Sequence, residues 1–106
     1  MTVMNMERFQ EAVNQSNMPV LVEFWAPWCV YCRRISPALE KLAQQQEGRL
    51  LFGKVNIDEQ PLLAHQEQIE MIPTLILYQN GEALGSIVAP DSKARIEEFI
   101  LDTIGQ

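Results

Sequence analysis

The stretch VLVEFWAPWCVYCRR, residues 20–34, joins an apolar run to a pair of cysteines. Residues 20–26 are nearly all apolar and rich in β-branched and aromatic types, which is typical of a central strand covered on both faces. Residues 28–46 then carry apolar side chains at helical spacing, with Pro37 inside the pattern. The stretch therefore predicts a strand that leads directly into a helix, with Cys29 at the junction.

The segments on both sides of this unit continue an alternation of strands and helices. The patterns predict helices at residues 5–16, 59–69 and 93–104, strands at residues 49–57, 74–79 and 82–89, and a small strand at residues 2–4. Asn5 is a candidate N-cap for the first helix, and Asp91 or Ser92 for the last. Asn80-Gly81 is a strong hairpin signal. We therefore predict an α/β fold, a central mixed β-sheet flanked by helices on both faces, in a single domain over residues 1–106.

Composition and charge exclude several classes of function. The 106 residues are 47% hydrophobic and 21% charged, as in ordinary globular proteins. A net charge of -6 argues against non-specific nucleic-acid binding, which needs a clustered basic surface. No apolar run approaches the roughly 20 residues that span a membrane, and the N-terminus lacks the pattern of a signal peptide. We expect a cytoplasmic protein that binds neither nucleic acid nor membrane.

The cysteine pair allows three interpretations. A zinc site needs four ligands, and the chain offers only Cys29, Cys32 and the distant His65, so we predict no metal within one chain; a metal shared between two chains stays open but unsupported. Free cysteines are also often small buried apolar residues, and that alternative stays open. The third interpretation is redox chemistry, because positions i and i+3 share one helix face and the two sulfurs can close a small disulfide ring.

The redox interpretation assigns a different role to each cysteine. Cys29 lies at a strand-to-helix junction, where side chains tend to be exposed and where helix N–H groups favour a thiolate. It should therefore be the attacking nucleophile. Cys32, one turn deeper, should stay protonated until it attacks the mixed disulfide and releases the product. This chemistry needs no cofactor beyond the disulfide itself.

Several separated motifs, in order along essentially the whole chain, carry a family resemblance. LVEFWAPWCVYC at residues 21–32, KVNID at 54–58 and MIPTLILYQNGE at 71–82 resemble the thioredoxin family. The resemblance implies the thioredoxin fold and a monomeric protein disulfide reductase. It also implies disulfide-containing protein substrates and an electron-donating reductase, such as thioredoxin reductase.

The resemblance also implies roles for residues outside the cysteine pair. Pro73 would form a cis peptide bond facing the disulfide, although an isolated X-Pro dipeptide favours trans. That bond would let Ile72 offer its backbone N–H and C=O groups to an extended substrate chain. Trp28 would cover the sulfur surface, while Trp25 would pack beneath it.

A single acid interrupts the apolar strand. Glu23 should have a raised pKa if it is buried, because burial disfavours its charge. The resemblance makes it the proton acceptor for Cys32 and pairs it with Lys54. The alternatives are an exposed strand face for Glu23 and a solvated surface position for Lys54.

Two positions depart from the family pattern. Val30-Tyr31 replaces the usual Gly-Pro, so Tyr31 would bring an N–H close to the Cys29 sulfur. Such a donor would stabilise the reduced form and place the reduction potential above the roughly -270 mV of thioredoxin. The Tyr31 phenol could contact substrate at the rim. Ala89 stands where the family usually has glycine, and together with Pro90 it would narrow the choice of partners.

Two other functions fit parts of the pattern. A disulfide oxidase or isomerase is favoured by Glu23 and by the missing Gly-Pro, while the lack of a signal peptide counts against it. A non-catalytic binding module would use the same surface without chemistry. The retained cysteine pair and the acid of the central strand argue against the binding module.

Overall fold

The computed structural model describes residues 1–15 and 17–105. Its elements are β1 (Thr2–Val3), α1 (Met6–Gln15), β2 (Val20–Trp25), α2 (Val30–Gln45), β3 (Leu51–Asn56), α3 (Pro61–Gln66), β4 (Thr74–Gln79), β5 (Glu82–Val88) and α4 (Lys93–Ile104). The predicted order is confirmed. Most predicted elements were longer than the observed ones by a few residues. Ser16, the last residue of the first predicted helix, and Gln106, at the end of the predicted domain, lie outside the described residues.

One mixed sheet organises the fold, in the strand order β1-β3-β2-β4-β5. The first three strands in that order are parallel, and β4 and β5 are antiparallel to their neighbours. β2 lies at the centre, paired with β3 on one side and β4 on the other. Side chains of successive strand residues point to opposite faces, so Glu23 shares a face with Leu21. The predicted fold class, a central mixed sheet flanked by helices, is confirmed.

Each face of the sheet buries its own core. One core combines Leu21 and Leu75 of the sheet with apolar residues of α2 and α4, among them Leu39 and Ile96. The other packs α1 and α3 against the opposite face, and Phe24 is fully buried there. Burying a side chain of this size contributes about 1.5–3 kcal/mol, so the two cores hold β2 and its C-terminal end in place.

Local signals set the ends of several elements. The Asn5 side chain accepts a hydrogen bond from the N–H of Arg8, so Asn5 caps α1 as predicted. Ser92, rather than Asp91, caps α4, because its Oγ accepts from the N–H of Arg95. Asn80 and Gly81 have φ values of 54° and 82°, as the two-residue hairpin between β4 and β5 requires. No helix in residues 1–15 and 17–105 is long and apolar enough to cross a membrane.

Candidate active site

Cys29 is the N-cap of α2. β2 ends at Trp25, and the chain turns so that the N–H of Cys29 donates to the carbonyl of Ala26 at 3.1 Å. The N–H of Cys32 then donates to Sγ of Cys29, also at 3.1 Å. Both cysteines are free thiols. The Cys29 sulfur therefore lies at the positive end of the helix dipole and accepts a hydrogen bond there, and both features stabilise a thiolate.

Burial separates the two cysteines less than the sequence predicted. Cys29 is 8% exposed and Cys32 is 2% exposed, so Cys32 is the more shielded, as expected. The expectation of an exposed Cys29 was wrong, because Trp25, Tyr31 and Ile72 are among the side chains packed around the pair. Only a small part of the Cys29 residue is open to solvent, and an attacking thiolate can be reached only there.

Glu23 lies at the inner end of the site. It is 5% exposed, and burial raises its pKa to about 7 against a smaller opposing effect of the Lys54 charge. A cavity of about 50 Å³ is lined by Glu23 together with Cys32, Ser36 and three other residues. The pKa of the Cys32 thiol is raised, first by burial and then by its hydrogen bond with Cys29. The surroundings therefore keep the Cys32 thiol protonated at neutral pH, whereas Glu23 can exchange a proton there.

Lys54 does not pair directly with Glu23, which corrects the prediction. The two residues are register partners on adjacent parallel strands. Within residues 1–15 and 17–105, however, no ion pair joins them, and Nζ of Lys54 lies 5.0 Å from the centre of the Trp25 ring. The lysine thus acts on Glu23 through its charge at a distance while it stacks on the indole. A strand pattern predicts register but not the direction of a long side chain.

The Ile72–Pro73 peptide bond is cis, as the resemblance implied and contrary to the preference of the isolated dipeptide. Ile72 packs against the cysteine pair, and Pro73 is fully buried. The Pro73 carbonyl accepts a hydrogen bond from the N–H of Ala89 at 2.8 Å. This bond ties the segment before β4 to the segment after β5, next to the cysteines.

Trp28 is at the surface beside the cysteine pair. It is 64% exposed, and its Nε1 donates to Oδ2 of Asp58 at 3.0 Å. Trp25 packs against the cysteines, as predicted, and its buried Nε1 has no hydrogen-bond partner in the described part of the chain. The two tryptophans therefore differ in position: one presents its ring to solvent and the other supports the site from inside.

Tyr31 behaves differently from its prediction. The cap hydrogen bond to the Cys29 sulfur comes from Cys32, and among the described residues Tyr31 donates no backbone hydrogen bond to that sulfur. A cap side chain accepts from the second or third helical residue, and here it accepts from the third. The predicted reason for a more oxidising disulfide is therefore missing. Instead, the Tyr31 hydroxyl donates to the Pro90 carbonyl at 3.2 Å, a contact that sequence patterns did not indicate.

Ala89 adopts a left-handed backbone conformation, with φ of +47°. This explains in physical terms why glycine suits the position, since residues with a Cβ are strained there. His65 is exposed at the end of α3, as predicted. No group of three or more His, Cys, Asp or Glu residues that could hold a metal ion occurs in residues 1–15 and 17–105.

Comparison with known proteins gives consistent matches. The family model described as Thioredoxin matches residues 1–102. Thioredoxin 1 of Nostoc sp. is 41% identical over 92 residues, which cover 87% of this chain and 86% of the relative. Thioredoxin M-type, chloroplastic, of Spinacia oleracea is 38% identical over 96 residues, covering 91% of this chain and 53% of the relative. Bifunctional thioredoxin reductase/thioredoxin of Mycobacterium leprae is 39% identical over 92 residues, which cover 87% of this chain and 20% of the relative.

Proposed function

Since the chain belongs to the thioredoxin family of thiol-disulfide oxidoreductases, we propose that it reduces protein disulfides with Cys29 as nucleophile and Cys32 as resolving thiol. The observation that carries this assignment is the hydrogen bond from the N–H of Cys32 to Sγ of Cys29 at the start of α2. It stabilises negative charge on the first sulfur, while burial keeps the second sulfur protonated.

The reaction proceeds in two exchange steps. The Cys29 thiolate attacks one substrate sulfur, the substrate S–S bond breaks, and the departing sulfur leaves as a thiolate that takes a proton. Cys32 then loses its proton and attacks Sγ of Cys29. A Cys29–Cys32 disulfide forms, and the second substrate sulfur leaves. The substrate gains two electrons, and the cysteine pair loses two until a dithiol donor restores it.

Glu23 is the proposed proton acceptor for Cys32. Its carboxyl lines the same small cavity as Cys32, and a pKa of about 7 lets it gain or lose a proton near neutral pH. Lys54 supports this role by favouring the carboxylate form through its charge. Proton removal from Cys32 would then take place inside the protein, away from bulk solvent.

The proposed substrate surface surrounds the exposed part of Cys29. Ile72 would offer its backbone groups to an extended substrate chain, and Pro73 fixes the course of that segment. Trp28, Tyr31 and Ala89 would form the rim. Such contacts are mostly apolar or with the backbone, so they fit protein disulfides of varied sequence.

We further propose that a thioredoxin reductase supplies the electrons. A relative whose name joins the two activities, the bifunctional protein of Mycobacterium leprae, supports this pairing. Action as a monomer in the cytoplasm, and a part in electron transport, are proposals of the same kind. The location follows from a role as reductant, which needs a compartment that keeps dithiols reduced, and the monomeric state follows from the family resemblance. Cell fractionation tests the location, and gel filtration tests the oligomeric state.

Replacing the nucleophile tests the function. Cys29→Ser should lower insulin reduction with dithiothreitol by on the order of a hundredfold or more, because serine cannot form the mixed disulfide. The matched variant Cys32→Ser should instead accumulate the mixed disulfide, which non-reducing electrophoresis detects. Undiminished insulin reduction by Cys29→Ser would contradict the proposed function.

A further inference from the structure

We propose that Tyr31 is a positioning residue that holds the loop of residues 89–92 against the active site and so sets how tightly a protein disulfide binds. The proposal rests on the reductase function given above. It starts from the hydrogen bond between the Tyr31 hydroxyl and the Pro90 carbonyl, which joins residues 59 positions apart in the chain. The usual glycine and proline between the cysteines have no side-chain group that could form it.

The Tyr31 side chain is well placed to act as a fixed anchor. Its ring is half-buried and packs both against the core formed by α2 and α4 and against the cysteine pair. A phenol has few rotatable bonds, so a packed ring directs its hydroxyl with little freedom. The position of Pro90 is therefore coupled to the first turn of α2, the same turn that carries the two cysteines.

The loop that receives this hydrogen bond needs support. Ala89 has φ of +47°, a conformation that a residue with a Cβ seldom adopts without surrounding contacts. Two hydrogen bonds flank this strained residue: its own N–H donates to the Pro73 carbonyl, and the next carbonyl accepts from Tyr31. Loss of the second bond should let the backbone at Ala89 relax toward ordinary φ values and weaken the first.

The loop of residues 89–92 lines the rim of the site. A cleft of about 310 Å³ includes Tyr31, Arg34 and Ser92 in its lining, and a second cleft of about 300 Å³ includes Ala89 and Pro90. The Tyr31–Pro90 contact joins a residue of the first cleft to a residue of the second. The Ala89 N–H donates to the carbonyl of Pro73, the residue after Ile72, so a substrate segment that pairs with Ile72 would pass beside this loop. Movement of the loop should therefore change substrate affinity more than the exchange chemistry.

The test compares the two tyrosines of the chain in insulin reduction with dithiothreitol as electron donor. Tyr31→Phe removes only the hydroxyl, and it should raise KM for insulin about two- to tenfold, the effect of one hydrogen bond, with a smaller change in kcat. Tyr78→Phe is the matched control, because it also loses a hydroxyl bond, to Glu67, on the opposite face of the sheet. It should lower stability and leave KM unchanged.

A double-mutant cycle separates loop positioning from a direct contact with substrate. In the Ala89→Gly background the loop can adopt its conformation without strain, so adding Tyr31→Phe should raise KM by a smaller factor than it does in the parent. An equal factor in both backgrounds would mean that Tyr31 acts on substrate independently of the loop, and the proposal would be wrong.

Amide hydrogen exchange gives a readout that needs no substrate. Tyr31→Phe should speed exchange of the Ala89 amide about two- to tenfold, because its bond to Pro73 opens more often. Unchanged exchange, an unchanged KM, or an equal rise in KM for Tyr78→Phe would each overturn the proposal. Failure of the parent protein to reduce insulin would instead refute the proposed function, so the two failures are distinguishable.

Discussion

Glu23 is an ionisable residue at the centre of an otherwise apolar sheet. Both neighbouring strands pair with β2 at this position, opposite Lys54 on one side and Leu75 on the other. The carboxyl is buried, and ionising it there is costly, which is why its pKa rises to about 7. Burial thus makes Glu23 a useful base near neutral pH, and it also destabilises the folded state when the carboxyl is ionised.

The effect on stability has a definite sign. The pKa of folded Glu23 lies above its ordinary value of 4.5, so the stability that the protonated carboxyl gives is fully present below pH 4.5 and is lost as pH rises through about 7. Glu23→Gln should therefore be more stable than the parent by about 2 to 3 kcal/mol at pH 8, with little of this difference left near pH 4.

Urea unfolding between pH 4 and pH 8 measures that difference. Glu59→Gln serves as the exposed control for loss of one carboxylate. A stability gain for Glu23→Gln that stays constant across the pH range would contradict the assignment, since it would come from packing rather than from the ionisation of the buried group.

Side-chain direction limited prediction at the residue scale. The sequence pattern pointed to Glu23 and to both cysteines, because a polar residue in an apolar run and a close cysteine pair can be recognised without a structure, whereas Lys54 was chosen from the family resemblance. It did not predict that Lys54 would stack on Trp25, or that the Tyr31 hydroxyl would reach Pro90. Both contacts depend on rotamers selected by packing between segments distant in the chain.

At the scale of elements, prediction succeeded where chemistry is local. The hairpin turn and the bounds of β4 and α4 agree with the predicted ones, since Asn-Gly and a serine cap act on adjacent residues. The start of α2 was predicted two residues early. Helical spacing continues through Cys29, but this residue has φ of -82° and ψ of 108° and serves as the cap. The helical periodicity of the sequence alone does not show which residue caps the helix.

Gly53 of β3 lies where the sheet packs tightly against the side chain of Met4. It pairs with Thr2 of β1 and Val22 of β2, and a Cβ built on it would overlap the side chain of Met4, which is 2% exposed. The methionine would have to move within a filled space. Gly53→Ala should therefore lower the free energy of unfolding by about 1 to 3 kcal/mol.

The matched control for that prediction is another strand glycine. A Cβ on Gly85 of β5 would meet Thr103 and Phe99 at 3.4 and 3.5 Å, which are close to ordinary contacts. Gly85→Ala should change stability by less than Gly53→Ala in chemical denaturation. Equal losses for the two variants would show that strand glycines are replaced at a common cost and that Met4 plays no special part.

At the scale of the whole molecule, the segments that adjoin the site carry exposed apolar side chains. Trp28, Val30, Met71 and Val88 are all at least 45% exposed, and they belong to the strand-to-helix turn, the start of α2, the cis-proline segment and the end of β5. Apolar groups at a surface favour association with partners. These exposed side chains near the site are therefore candidates for contact with both the substrate and the proposed reductase.

Turnover with a reductase tests that expectation. NADPH and a thioredoxin reductase, in place of dithiothreitol, should support insulin reduction followed as NADPH oxidation. Ala89→Gly should raise the rate at limiting reductase if the Ala89 methyl narrows partner choice, and an increase of about two- to tenfold corresponds to about 0.4 to 1.4 kcal/mol. Activity with dithiothreitol but none with the reductase, for both proteins, would reject this donor.

The near-complete cover over Cys29 also determines which disulfides can react. Thiol-disulfide exchange requires the attacking sulfur to approach along the line of the target S–S bond, so a recessed thiolate admits only a narrow trajectory. A disulfide on a protruding or locally unfolded segment can reach that line, whereas one within a flat, rigid surface meets the rim first. We therefore expect the protein to reduce disulfides on protruding or mobile segments faster than a disulfide within a flat, rigid surface.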